Sequence, residues 1–277
     1  MASGRRLDAF RLHIGRLRAR LGPQEAEPLV SVVVPTFNRG PLLAGRTLPA
    51  ALAQTYRRTE IIIVGDACTD DTEDRILALG DPRLRFENLA ERGRYPEDPL
   101  LRWMVAGTKP ANRGLDLARG DWIAFLDDDD VWEPDHLESL VSVAWETGAE
   151  FVYGAGLLER SPGEWLRIGG SPPATGKILH SAVLYRGYLR FLRYDPEAWQ
   201  AGIGGDAHLW CRMQRLGVRF AFIDRVVSCS PLRPGEDLRG QRAAERARAE
   251  WSARLRRAGD DARADREPGL QGHHAPE

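Results

Sequence analysis

Four consecutive carboxylates, Asp127, Asp128, Asp129 and Asp130, follow directly on the apolar run Trp122-Ile123-Ala124-Phe125-Leu126. Negative charges crowded at the end of a buried strand repel one another and lose hydration, so the cluster calls for a cation. Mg2+ or Mn2+ suits it, since either takes hard oxygen ligands, commonly one or two carboxylates completed by substrate phosphates and water. The competing use is a solvated acidic turn before a helix starting at Pro134, where negative charge is favoured. A second acidic loop, Gly65-Asp66-Ala67-Cys68-Thr69-Asp70-Asp71-Thr72, follows the run Ile61-Ile62-Ile63-Val64. There Asp66 stands at a strand end, placed to accept from a base or ribose, whereas Asp70, Asp71 and Thr72 suit helix capping.

The elements that must hold these carboxylates can be read from the hydrophobic pattern. Apolar runs at 29–34, 60–64, 84–87 and 122–126 alternate with helical patterns at 42–54, 69–79, 108–118 and 134–146. That alternation marks parallel βαβ units, whose ligands bind at the C-terminal ends of the strands. Residues 88–107, rich in Pro, Gly and Arg, read as a long functional loop. Beyond it the pattern predicts strands at 150–154, 157–165, 182–186 and 218–223, a Gly/Pro-rich loop at 169–176 and a helix at 206–216. From residue 231 the chain turns polar, with a solvated helix near 241–257 and a disordered end.

Residues 1–22 carry Leu7, Phe10, Ile14, Leu17 and Leu21 at alternating spacings of three and four, among six arginines. This predicts an amphipathic helix with one apolar seam, packed on the main domain, on a second copy, or on an anionic membrane surface. Gly22-Pro23 ends it and residues 23–28 form a linker. With 277 residues, 29% charged, and a net charge of -1, the chain can bury a full core and offers no basic field for nucleic acid. Three scattered cysteines, no bilayer-length apolar run and no secretory leader imply a cytoplasmic protein, peripheral at the membrane if the helix docks there.

Taken in order, Val32-Val33-Val34-Pro35-Thr36-Phe37-Asn38-Arg39, Gly65-Asp66-Ala67-Cys68-Thr69-Asp70, Asn112-Arg113-Gly114-Leu115-Asp116-Leu117-Ala118-Arg119-Gly120-Asp121 and Phe125-Leu126-Asp127-Asp128-Asp129-Asp130 form an ordered set. The set resembles the family 2 glycosyltransferases of GT-A fold. The resemblance implies an α/β fold with a Rossmann-like, mostly parallel central sheet flanked by helices and a small acceptor-side C-terminal portion. It divides residues 29–230 into a nucleotide-sugar half, 29–146, and an acceptor half, 147–230, with 231–277 as the polar helix and tail. It puts Pro35, Thr36, Asn38, Asp66, Asn112, Asp127 and Asp128 at the nucleotide sugar, and makes Asp127-x-Asp129 the metal motif, with Asp129 the direct ligand to Mn2+ or Mg2+. Gly204-Gly205-Asp206-Ala207-His208-Leu209-Trp210-Cys211-Arg212 resembles the segment that carries the family's base, which would make Asp206 catalytic. An aspartate opening a helix also serves as a cap.

The expected activity is therefore an inverting, non-processive transfer from a nucleotide sugar, by resemblance a UDP-sugar, to the hydroxyl of an unnamed acceptor: glycan, lipid carrier, protein or small molecule. Gly65 and Gly205 stand where the family often has acidic residues, which keeps open a catalytically silent nucleotide-sugar-binding scaffold. A sugar-phosphate nucleotidyltransferase would carry a Gly-rich phosphate loop after the first strand, and residues 35–40 lack one. A processive synthase is disfavoured by the lack of a Gln-x-x-Arg-Trp sequence.

Overall fold

The computed structural model describes residues 2–22, 25 and 27–233. The chain divides into Met1–Gly235 and Glu236–Glu277. The polar helix and tail expected beyond residue 233 lie outside the described residues.

Nine strands form one sheet: β1 (Val30–Thr36), β2 (Thr59–Gly65), β3 (Leu84–Asn88), β4 (Trp122–Phe125), β5 (Val131–Trp132), β6 (Phe151–Ser161), β7 (Glu164–Ile168), β8 (Val183–Arg186) and β9 (Phe220–Ser230). Their order is β3-β2-β1-β4-β8-β6-β9-β5, with β7 hairpinned onto β6. The first four are mutually parallel, β8 is antiparallel to both β4 and β6, and β6 and β9 are parallel. Strands β1, β2, β3, β4, β6 and β9 thus share one direction, giving the mostly parallel central sheet that the resemblance implies.

Helices cover both faces because both faces of the central strands are apolar. Val33, Ile62, Val64, Ile123 and Phe125 meet Leu115 of α6 (Thr108–Leu117) and Leu209 and Met213 of α8 (Gly205–Arg215) in one core. The alternating neighbours Val32, Val34, Ile61, Ile63 and Ala124 meet Leu48, Leu137 and Leu140 in the other. Leu137 and Leu140 belong to α7 (His136–Thr147), and α4 (Thr72–Ala78) follows β2.

Three segments differ from the sequence expectation. The loop at 88–107 contains a helix, α5 (Pro99–Val105), capped by Asp98, whose carboxylate accepts from the amides of Leu100 and Leu101. The helix expected at 42–54 is broken into α2 (Gly40–Leu42), a π turn (Leu43–Thr47) and α3 (Leu48–Leu52). Pro49 has no amide hydrogen to continue an α ladder, and the widened turn before it turns Arg46 toward the acidic cluster. The strand expected at 157–165 is two, since Pro162-Gly163, with Gly163 at φ 79°, folds the chain back on itself.

Helix α1 (Ala2–Leu21) packs on the domain through a face other than its predicted seam. Leu12 is buried, Gly15 lets the backbone settle on the Tyr188 ring, and Arg16 reaches Glu150 with two bonds of 2.7 and 2.6 Å. Glu150 also accepts from the Tyr188 hydroxyl and the Arg219 amide. Among the described residues no helix is long and apolar enough to cross a membrane.

Candidate active site

Parallel pairing in register brings the C-terminal ends of β1, β2 and β4 level, with Thr36 opposite Gly65 and Val33 opposite Phe125. At these ends lies a cleft of about 310 Å³. Pro35, Thr36, Asp66, Asp127, Asp128, Asp129 and Asp206 all line it, so residues scattered from position 35 to position 206 meet in one place. Asn38 and Asn112 are not among its lining. Asn38, in the left-handed region at φ 52°, exchanges side-chain bonds with Thr69. Asn112 spends its amide on the backbone of Tyr194, accepting from its N–H and donating to its carbonyl at 2.9 Å each.

Each carboxylate of the acidic loop has its own environment. Asp127 Oδ1 lies 2.7 Å from His180 Nδ1, and His180 Nε2 lies 2.7 Å from the Tyr194 hydroxyl. A carboxylate only accepts, so Nδ1 carries the proton. Burial opposes both charges, but the pair outweighs it: the Asp127 carboxyl is held below its ordinary range and the His180 imidazole above its own. The Ser181 hydroxyl accepts the Asp127 amide, and Trp132 fixes the Ser181 carbonyl. Asp128 accepts from the Thr36 hydroxyl at 2.7 Å, and burial, offset by Arg39 and reinforced by Asp129, pushes it up to about 6. Asp130, behind the others, is pushed up to about 8 by burial and by Asp127 and Asp129.

Asp129 is met by two guanidiniums, Arg39 at 3.3 Å and Arg233, while Arg46 donates to its carbonyl. Positive charge is therefore already drawn to the carboxylate assigned to the metal. Among the described residues no cluster of three or more His, Cys, Asp or Glu side chains could hold a metal alone. Two carboxylates beside room for phosphate oxygens nevertheless fit a Mg2+ or Mn2+ ion shared with a diphosphate, because such ions rarely take an all-protein cage.

Asp66 is 2% exposed, and its oxygens are filled by the Gly93 amide and the Tyr95 hydroxyl, both at 2.8 Å, with Arg92 at 3.7 Å. Arg92 also lies over the Phe37 ring, 3.6 Å from its centre. The segment after β3 thus folds across the base of the cleft and is tied to Asp66. Asp206 is the second residue of α8, and the cap position belongs to Gly204. Burial raises its carboxyl pKa, with His180 and the Ala207 amide opposing.

The sequence did not single out His180, Tyr194, Arg39, Arg46, Arg92 or Arg233 as site residues. A lone histidine before a strand is the one signal His180 offers, because its partners Asp127 and Tyr194 come from other elements. Of the basic residues near the cleft, Arg102, Lys109 and Arg113 turn to the carbonyls of Pro96 and Glu91 and the carboxylate of Glu87. Among the tryptophans, Trp103 lines the cleft and is half exposed, whereas Trp132 and Trp210 are core residues.

The chain is similar to named glycosyltransferases. It is 30% identical over 127 residues to the UDP-Glc:alpha-D-GlcNAc-diphosphoundecaprenol beta-1,3-glucosyltransferase WfgD of Escherichia coli, covering 46% of this chain and 45% of that one. It is 35% identical over 133 residues to the GalNAc(5)-diNAcBac-PP-undecaprenol beta-1,3-glucosyltransferase of Campylobacter jejuni, covering 48% and 40%. The chain thus matches less than half the length of these relatives. Among solved structures, the mannosyltransferase PcManGT of Pyrobaculum calidifontis in complex with GDP-Man and Mn2+ shares the fold with a TM-score of 0.59 at 17% identity, over 88% of this chain and 70% of that one. S. aureus TarS 1-349 in complex with UDP-GlcNAc gives 0.55 at 17% identity, over 80% and 66%. The model of the family described as "Glycosyltransferase like family 2" matches residues 27–168, about half of the sequence, and the chain belongs to that family.

Proposed function

We propose that the protein is an inverting, metal-dependent, non-processive glycosyltransferase that moves a sugar from a UDP-sugar to an acceptor hydroxyl. The observation that carries this reading is the convergence of Asp127, Asp129 and Asp206 on one cleft whose floor is Pro35, Thr36 and Asp66. Asp129 and Asp127 would hold the metal against the donor diphosphate, and a bound Mn2+ or Mg2+ would supply positive charge where the leaving group gathers negative charge. His180 keeps Asp127 ionised and oriented. Asp206 takes the proton of the acceptor hydroxyl as its oxygen bonds to the anomeric carbon and the bond to the nucleoside diphosphate breaks. A carboxylate raised by burial is the better base, provided it is ionised at working pH.

The names of the two glucosyltransferase relatives specify acceptors linked to undecaprenol diphosphate. They support a lipid-linked sugar as the acceptor class, and three free cysteines agree with reaction in the cytoplasm. Calorimetric titration of UDP and GDP with and without Mn2+ tests the donor half: UDP binding should require the metal and fall at least tenfold in Asp129→Ala. Metal-independent binding unchanged in that variant would overturn it. Asp206→Asn should keep metal-dependent UDP binding and lose hydrolysis of the donor sugar. Normal hydrolysis would move the base elsewhere.

A further inference from the structure

Helix α1 is fixed to the body by one face and turns another to solvent. Leu12, Gly15 and Arg16 make the docked face, and the bidentate contact of Arg16 with Glu150 sets its rotation. On the other side Leu7, Phe10, Leu17 and Leu21 are 50, 61, 44 and 78% exposed. At about 100° per residue these four fall in a stripe about 80° wide. Arg6, His13 and Arg20 flank one edge of it, and Arg11 and Arg18 flank the other. A solvated helix would carry polar residues there, and a buried one would carry no arginine border.

Past the Arg11 and Arg18 edge the stripe continues into a groove of about 770 Å³ that Arg186, Arg190 and Trp145 also line. Arg186 lies 4.0 Å from the centre of the Trp122 ring and 5.6 Å from that of Trp145, resting its guanidinium on aromatic faces. Trp145 is half exposed at the same place, as interfacial tryptophans are.

We propose that α1 and this groove dock the protein onto an anionic membrane surface. Leu7, Phe10, Leu17 and Leu21 enter the boundary between headgroups and acyl chains, while the flanking arginines, with Arg186, meet lipid phosphates. Charge decides between this occupant and a second copy of the chain. Two such stripes laid together would bring arginine borders against arginine borders, whereas an anionic bilayer complements them. The groove includes Gly120 and Asp121, just before β4, while Asp127 and Asp129 follow that strand. Docking at this end leaves the donor cleft outside the contact and does not depend on the reaction proposed.

Flotation of the full chain with vesicles of phosphatidylglycerol and phosphatidylcholine, against phosphatidylcholine alone, tests it. The protein should float with the anionic vesicles only. The pairs Phe10→Ser with Leu17→Ser, and Arg11→Glu with Arg18→Glu, should each lower the bound fraction at least about tenfold. Thermal melting followed by circular dichroism, unchanged in both pairs, shows that the variants remain folded. Equal flotation with both vesicle types overturns the proposal, as does failure to float. So does a dimer in light scattering that Phe10→Ser with Leu17→Ser dissociates, or flotation by folded variants equal to that of the parent.

Discussion

A Cβ atom at Gly65 would stand 2.5 Å from Asn88 Oδ1 and 3.1 Å from Cys68 Sγ. Asn88 uses that oxygen to accept the Cys68 amide and its nitrogen to donate to the Cys68 carbonyl, so it holds the turn that follows Asp66. The glycine that departs from the family pattern is thus matched by a neighbour that fills the vacated space. Gly65→Asp should therefore lower stability by about 1–3 kcal/mol through overpacking, read from the midpoint of urea unfolding. Unchanged stability with tighter UDP binding would show that Asn88 yields and that a second carboxylate is useful. Asp66, Asp127 and Asp206 were legible in the sequence because each sits in a motif at an element end. The His180–Tyr194 link was not, since Tyr194 is placed by Asn112, 82 positions away in sequence.

Among the elements, α1 shows most clearly what a pattern conveys and what it omits. Its spacing revealed an apolar seam but not which face would meet the domain, because docking relies on Leu12, a glycine and an ion pair spanning 134 positions. Glu150, at the foot of β6, is held down to about 2: burial would raise it, but Arg16, Tyr188 and the Arg219 amide together prevail. A carboxyl whose pKa is lower in the folded state stabilises fully above its ordinary value near 4.5, and the contribution disappears as pH falls toward 2. Arg16→Ala should cost about 2 kcal/mol at pH 7, because it leaves a buried carboxylate with fewer donors. Urea unfolding at pH 7 measures that loss, and a difference under about 0.3 kcal/mol would mean that Tyr188 and Arg219 suffice to hold Glu150.

Across the whole domain, the parallel half was legible from strand-length apolar runs, whereas the half after residue 150 was only partly so. There β9 lies between β6 and β5 and runs on to Ser230, and a two-residue strand such as β5 leaves no periodic trace. Behind β5, His136 is fully buried, stacked on Trp132 with ring centres 4.1 Å apart, and its Nδ1 lies 2.9 Å from the Val227 carbonyl. Burial drives its pKa down to about 3, so the folded protein holds the ring neutral where the unfolded chain would protonate it. The unfolded state then binds the extra proton below pH 6.5, and the contribution of His136 to stability falls by about 1.4 kcal/mol per unit, or about 2 kcal/mol by pH 5. His208, lowered by burial, acts in the same direction, and the raised His180 acts mainly above pH 6.5; Asp128 and Asp130, raised by burial, hold protons in the fold and act in the opposite direction, so the His136 contribution is read as a difference between the parent and a His136 variant. Because Trp132 also ties the Ser181 carbonyl, the wall behind Asp127 should loosen together with His136. His136→Phe keeps the stacked ring and removes the titration. Between pH 6.5 and pH 5 the parent's unfolding free energy should fall by about 2 kcal/mol relative to that of the variant, which is less stable at pH 7 for want of a donor to Val227. An equal change in both would show that His136 does not carry this contribution.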